Sequence, residues 1–420
     1  MSVLNYDVNC VQEGEGEDQG QGQGQGQVQV QIEGHGTEEY EIQNWDDLEI
    51  SVDLLRGIYA YGFEKPSPIQ QKAIKPLVLR KDIVAQAQSG TGKTATFTIG
   101  ALANVDINDN STQVLVLSPT KELTIQTAKV FEGLGNMMTG LRVQTLYGGV
   151  VVEESSSFLN KNVPHVICAC PGRVFDMMRR DKISSKKIKL VILDEADEML
   201  SSGFKEQVYN IFQYFSSDIQ VALFSATLPE GINTIIERIM RDPVRISVKR
   251  EMLTLEGIRQ FYVAVDDDRQ KYATLKNLFS FLSVSQCIIY CNSIKRVQDL
   301  YEAMCEDEFP VCRIHSSMDR IERETAFNEF RNGKSRVLIS SNVTARGIDI
   351  QQVSVVINFD LTKDVHTYLH RIGRSGRWGR KGVGINFITR RDVIKLKEIE
   401  QHYSTQINEM PAELTFLSVI

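Results

Sequence analysis

The chain has 420 residues, of which 42% are apolar and 24% charged, the balance of an ordinary globular protein with two or three domains. No uncharged apolar run approaches the ~20 residues that span a bilayer, and the first residues lack the basic and apolar regions of a secretory signal. These features argue against secretion, a membrane span or a membrane partner; the expectation is a cytoplasmic protein, with the nucleus left open.

The formal charge of −7 divides unevenly. Residues 1–43 carry nine acids and no Lys or Arg, which leaves 45 acids against 47 bases in the remainder. A nearly neutral body is compatible with nucleic acid without announcing it by charge. The seven cysteines form no CxxC pair, and Cys168, Cys170, Cys287 and Cys291 lie in or beside apolar runs. A reduced interior role fits them better than a disulfide framework or a zinc site.

In chain order, the segment from Gly14 to Gly36 is mostly Gly, Gln and Glu. It carries too little apolar area to repay ordering, so residues 1–43 are expected to be a disordered tail. From Trp45 onward short β-rich runs alternate with helical patterns. The first series of strands is expected at Asp82–Ala85, Val114–Leu117, His165–Cys168, Leu190–Leu193 and Val221–Phe224. The second is expected at Cys287–Tyr290, Val311–Ile314, Arg336–Ile339, Val355–Asn358 and Gly384–Phe387. Continuous apolar strands separated by helices indicate parallel sheets covered on both faces, hence an α/β fold. The two series divide the chain into a first domain over 44–248, a linker over 249–258 and a second domain over 259–420.

The strongest local signal is the run Ala87, Gln88, Ser89, Gly90, Thr91, Gly92, Lys93, Thr94, directly after the first expected strand. Its glycines let successive backbone N–H groups curl around a phosphate at the start of a helix. Lys93 would reach the β and γ phosphates, and the Thr94 hydroxyl would ligate Mg²⁺. About a hundred residues on, Asp194-Glu195-Ala196-Asp197 ends a buried strand. Asp194 would hold the metal and Glu195 would polarise the attacking water, the two functions that nucleotide hydrolysis needs.

Asp-Glu-Ala-Asp is the signature of the DEAD-box ATP-dependent RNA helicases, and the chain resembles that family over most of its length. It is nearest the members that serve translation initiation and the exon junction. Further support comes from residues 54–66, from Arg173 to Met177 and from Glu409 to Pro411. The resemblance implies two tandem RecA-like domains, each a mostly parallel sheet flanked by helices, with ATP and Mg²⁺ bound between them. It places Phe63 and Gln70 at the adenine, Trp45 as an aromatic packing near the base, and Asp349 at the ribose. Arg374 and Arg377 become arginine fingers, joining Lys93, Asp194 and Glu195 as catalytic residues. Asp197, Ser225, Thr227 and His370 would couple hydrolysis to unwinding.

For RNA, the resemblance points to Pro119, Thr120, Lys121, Gly149, Pro171, Gly172 and Arg173 in the first domain. In the second it points to Asn292, Arg323 and Ser341. Such polar groups grip sugar-phosphate without reading bases, so binding should be independent of sequence and favour single strands or short duplexes. Several positions depart from the family pattern. Lys121 stands for Arg, Cys170 for Thr, Ser316 and Ser317 for Gly-Asp, Arg320 for Gln, and Asn342 for Asp.

The implied activity is unwinding of short RNA duplexes by ATP-driven closure of the two domains, with hydrolysis for release, on mRNA in translation initiation. The alternative is a slow-turnover, ATP-dependent RNA clamp within an mRNA–protein complex. A P-loop ATPase of another class leaves Gln70, Ser225–Thr227 and Arg374 unexplained. The expected partners are RNA and a protein scaffold that promotes closure, with the chain itself a monomer.

Overall fold

Four-residue runs such as Val-Leu-Val-Leu at 114–117 are apolar on both sides of the pleat and lose area to water only if helices cover both faces. That is how the computed structural model of the chain is built. It describes residues 30–33, 40–87, 90–149, 162–201, 204–228, 230–248, 258–281, 286–342, 353–375 and 382–411.

The first sheet contains β1 (Val30–Glu33), β2 (Ile83–Gln86), β3 (Val114–Leu117), β4 (Val143–Leu146), β5 (Val166–Ala169), β6 (Leu190–Asp194), β7 (Gln220–Ser225) and β8 (Val244–Val248). Their spatial order is β1-β8-β2-β7-β6-β3-β5-β4, parallel throughout except for β1. The second sheet contains β9 (Ile258–Ala264), β10 (Gln286–Tyr290), β11 (Val311–Ile314), β12 (Val337–Ser340), β13 (Val353–Asn358), β14 (Gly382–Ile388) and β15 (Asn408–Glu409). Its order is β11-β12-β10-β13-β14-β9-β15, all parallel. Each sheet separates two apolar clusters, one beneath the helices of either face.

All ten expected strands are present within two residues of their expected ends. Expectation and structure part at the tail. Val30–Glu33 lies in the segment expected to be disordered, yet it pairs antiparallel with β8, Val30 opposite Val248 and Glu33 opposite Arg245. The Gly/Gln bias there hides a Val-Gln-Ile-Glu alternation, and period-two alternation suits an edge strand.

In open α/β sheets ligands collect outside the carboxyl ends of the strands. In the first sheet β2, β7 and β6 are neighbours, so the turn after Gln86, Ser225 and Asp194 come together at one end. In the second, β12, β10 and β13 are neighbours, which gathers Ser340, Tyr290 and Asn358 in the same way. Among the described residues no helix is long and apolar enough to cross a membrane.

Candidate nucleotide and RNA sites

A cavity of about 310 Å³ opens where the first sheet's carboxyl ends meet the second domain. Phe63, Gln70, Gly90, Thr91, Gly92, Lys93, Thr94, Asp194, Glu195 and Arg374 all line it, so nearly all of the expected ATP residues that are described converge. Gln88, Ser89, Asp349 and Arg377 lie outside the described residues.

The turn expected at the phosphates is tied to the segment expected at the adenine. Ser67 caps the helix Pro68–Val78 in a capping box with Gln70, whose Oε1 accepts from the Ser67 N–H at 2.7 Å. The Ser67 hydroxyl donates to the Thr91 carbonyl at 3.0 Å. Gly92 has φ +100°, and a Cβ there would sit 3.0 Å from Gln70 Nε2 and 3.3 Å from Ser67 Oγ. A left-handed backbone costs an L-residue roughly 1–2 kcal/mol, and the Cβ would also push Gln70 aside. Gly92→Ala is therefore expected to weaken ATP binding by about tenfold or more, the equivalent of ~1.4 kcal/mol. Titration with a fluorescent ATP analogue checks this; unchanged affinity would show that the turn tolerates the side chain.

Two expected residues sit elsewhere than in the cavity wall. Trp45 is fully buried, its Nε1 donating to the Phe63 carbonyl at 3.1 Å and its ring 6.2 Å from that of Phe63. It braces Phe63 from behind, within the apolar core. Ala87 is likewise buried, its N–H bonded to the Ser225 carbonyl at 3.0 Å. Tyr61 is a cavity residue that motif reasoning passed over, with its ring 5.2 Å from that of Phe63. The Tyr-Gly-Phe run contained that signal. Leu123, Gln126 and Val130 complete the wall from the helix Lys121–Leu134.

Lys93, Asp194 and Glu195 are almost wholly buried. Glu195 has φ +51°, the left-handed region that a β-substituted residue occupies only when its surroundings compel it. Its N–H donates to Asp194 Oδ1 at 3.0 Å, and its Oε2 stands 3.8 Å from Lys93 Nζ. Burial, and then the charge of Glu195, push the Asp194 carboxyl up to about 7. Two hard oxygen donors, the Thr94 hydroxyl and the Asp194 carboxylate, line the same cavity. That donor set fits Mg²⁺, which takes few protein ligands alongside phosphate oxygens.

The four expected coupling residues form one hydrogen-bonded group across the two domains. The Thr227 hydroxyl donates to Asp197 Oδ2 at 2.8 Å, the Asp197 N–H to Ser225 Oγ at 3.3 Å, and the Ser225 hydroxyl to the Thr227 carbonyl at 2.7 Å. From the second domain His370 Nε2 lies 3.1 Å from the same Asp197 oxygen. Arg374, in the turn that follows the helix Val365–Ile372, donates Nε to the His370 carbonyl at 3.1 Å and lines the nucleotide cavity.

A second cavity, of about 920 Å³, runs between the domains. Pro119, Lys121, Gly149, Gly172, Arg173 and Arg323 line it. Thr120, Pro171, Asn292 and Ser341 are not in its wall. Thr120 caps the helix Lys121–Leu134, accepting from the Leu123 N–H, and Pro171 opens the helix Pro171–Arg179. The Asn292 amide is held within the second domain, donating to the Leu361 carbonyl and accepting from Arg371. Ser341 bonds through its N–H to the carbonyl of Ile314, which does line the groove.

Two ion pairs cross this groove. Lys121 Nζ is 3.6 Å from Glu324 Oε2, and Arg323 Nη1 is 4.0 Å from Glu122 Oε1. Neither acid was foreseen, since each pairing joins residues some two hundred positions apart. Among the departures, Cys170 Sγ lies 3.5 Å from Thr124 Oγ1 and burial pushes its thiol up to about 11, so it stays protonated. Ser317 Oγ sits 2.9 Å from His315 Nδ1, and the Ser316 carbonyl accepts from Arg323. The side chain of Arg320 lies outside the described residues.

Comparison with known proteins accounts for both halves. The DEAD/DEAH box helicase family matches residues 67–235, and the helicase conserved C-terminal domain matches residues 270–379. Eukaryotic initiation factor 4A of Cryptosporidium parvum is 52% identical over 374 residues, covering 89% of this chain and 92% of its own. The ATP-dependent RNA helicase eIF4A of Schizosaccharomyces pombe is 48% identical over 376 residues, covering 90% and 95%. S. cerevisiae Dbp5 bound to RNA and ADP BeF3 superposes with a TM-score of 0.81 at 34% identity, over 88% of this chain and 95% of that one. With the motif residues converging on one interdomain cavity and both domain matches in register with the two sheets, the chain belongs to the DEAD/DEAH box helicase family.

Proposed function

We infer that the chain is an ATP-dependent RNA helicase that binds single-stranded RNA through its backbone and unwinds short duplexes as ATP draws its two domains together. The observation that carries this reading is a single cavity built from both domains. Lys93, Asp194 and Glu195 come from the first sheet's carboxyl ends and Arg374 from the second domain. Hydrolysis thus requires closure. One chain supplies both halves of the cavity, which supports action as a monomer.

Lys93 neutralises the β and γ phosphates, and Glu195 takes a proton from the attacking water. Arg374 stabilises charge developing on the γ-phosphoryl group. Thr94 and Asp194 hold Mg²⁺, which when bound offsets phosphate charge. The Asp197–His370 contact breaks when the domains part, so nucleotide state and groove geometry change together. In the groove, small residues and basic side chains meet sugar-phosphate, and contacts to 2′-hydroxyls favour RNA over DNA. Phosphates there displace the exposed Glu324 from Lys121, a surface exchange of small cost.

Two relatives that carry the name initiation factor 4A support action on mRNA in translation initiation. A protein scaffold that holds the domains together is the partner this mechanism calls for. The test is steady-state ATP hydrolysis with and without single-stranded RNA, alongside displacement of a short duplex. Strong stimulation by RNA together with displacement is the expected result. Tight ATP-dependent RNA binding with little turnover would replace the helicase by a clamp.

A further inference from the structure

Every strand of the first sheet except β1 runs in one direction. The larger cavity opens at their carboxyl ends, since Pro119 follows β3, Gly148 and Gly149 follow β4, and Cys170 follows β5. β1 is antiparallel, with Val30 opposite Val248 at the carboxyl end of β8. The chain that precedes Val30 therefore leaves the sheet at the same end as the groove. Val244 of β8 donates its N–H to the Asp82 carbonyl, on the side of β2. Backbone groups alternate in direction along a strand, so Arg245 and Ser247 turn theirs toward β1, where Glu33 and Gln31 stand opposite.

Residues 1–29 lie outside the described residues. They carry five acids, Asp7, Glu13, Glu15, Glu17 and Asp18, and neither Lys nor Arg. Glu13, Glu15 and Glu17 alternate with Gly14 and Gly16. In extended chain that spacing sets carboxylates on one face about 6.8 Å apart, a row of anions with no side chain between them, as on a nucleic-acid backbone. Asp18 is 12 residues from Val30 and Glu13 is 17, which reach at most about 40 and 55 Å. From β1 to β3 is five strand spacings, ~24 Å, so the acids can reach the groove. Its wall carries five basic side chains, Lys121, Lys129, Arg173, Arg323 and Arg331, against three acids. Two of these cations already take a carboxylate, Lys121 from Glu324 and Arg323 from Glu122.

We propose that the acidic segment Glu13–Asp18 is a built-in competitor for RNA: β1 anchors the tail at the groove's end of the first sheet, and its carboxylates occupy the basic groove until RNA displaces them. The glycines between the acids let the backbone approach the groove wall. The pairing of β1 with β8 sets where the tail departs, and so the effective concentration of its charges at the groove. The inference rests on the reading of the groove as an RNA site.

The test uses the full chain with ADP–BeF₃ and Mg²⁺ and a fluorescein-labelled single-stranded oligouridylate, read by fluorescence anisotropy. One variant combines Glu13→Gln, Glu15→Gln, Glu17→Gln and Asp18→Asn. The other, Gln31→Pro, keeps every charge and removes one N–H from the ladder between β1 and β8. The neutralised chain should bind RNA about tenfold more tightly than wild type and Gln31→Pro about threefold, within what the millimolar effective concentration of a tether allows. Raising the salt should close both gaps, because exposed charges are screened. Equal affinity of the neutralised chain and wild type would overturn the proposal. So would a gain confined to the neutralised chain, which would make the acids a matter of net charge with no part for β1. RNA binding by none of the three chains would instead remove the RNA reading of the groove.

Discussion

Glu195→Gln is expected to lower RNA-stimulated ATP hydrolysis by about 10²–10⁴-fold, the usual contribution of a positioned general base. The substitution keeps size and shape, so the left-handed turn at φ +51° and the bond from its N–H to Asp194 should survive. What is lost is the capacity to take a proton from the attacking water. ATP binding should persist or tighten, because a negative charge 3.8 Å from Lys93 is removed and competes no longer for that lysine. ATP-dependent RNA binding should persist with it, leaving a protein that closes and does not reset. Phosphate release and nucleotide titration on the same preparation separate the two effects. Activity within about threefold of wild type would assign water activation to another group, since a general base is worth far more than that.

The parts of this molecule that were legible in the sequence are those fixed by local pattern. A run such as Val-Leu-Val-Leu declares a doubly covered strand, and a Gly-rich turn between such a strand and a helix declares a phosphate site. The weaker strands were not legible. β4, β8 and β9 are partly exposed, and their mixed Val/Gln/Arg composition resembles a loop until a neighbour is found. β1 was masked by the Gly/Gln content around it. Within the site, the resemblance has Trp45 packing near the base; its indole is fully buried against Phe63, and Phe63 and Tyr61 line the cavity. The cross-domain contacts had no local signature at all. Lys121 with Glu324 and Glu122 with Arg323 each join segments distant in the chain, and only the assembled fold brings them within bonding distance.

Arg374→Lys should reduce the rate of hydrolysis by about 10³-fold or more, the range in which arginine fingers act. Arg374 is nearly fully buried, and its Nε is held by the His370 carbonyl at 3.1 Å. One edge of the guanidinium is thereby anchored to the end of the preceding helix, Val365–Ile372, and Arg374 also lines the cavity shared with Lys93 and Glu195. Lysine keeps the charge but lacks the planar fork, so it cannot make the anchoring bond and reach a phosphoryl oxygen in one geometry. The loss should fall on the turnover rate, with the KM for ATP changed little, since Phe63, Gln70 and Lys93, the residues proposed to hold the adenine and the β-phosphate, belong to the first domain. His370 lies within the helix Val365–Ile372, before the turn that carries Arg374, and contacts Asp197 instead of the nucleotide cavity. His370→Gln should therefore act chiefly on stimulation by RNA and spare the basal rate. If Arg374→Lys lowered only the RNA-stimulated component, the two residues would share the coupling role, and charge stabilisation at the γ-phosphate would have to come from elsewhere in the second domain.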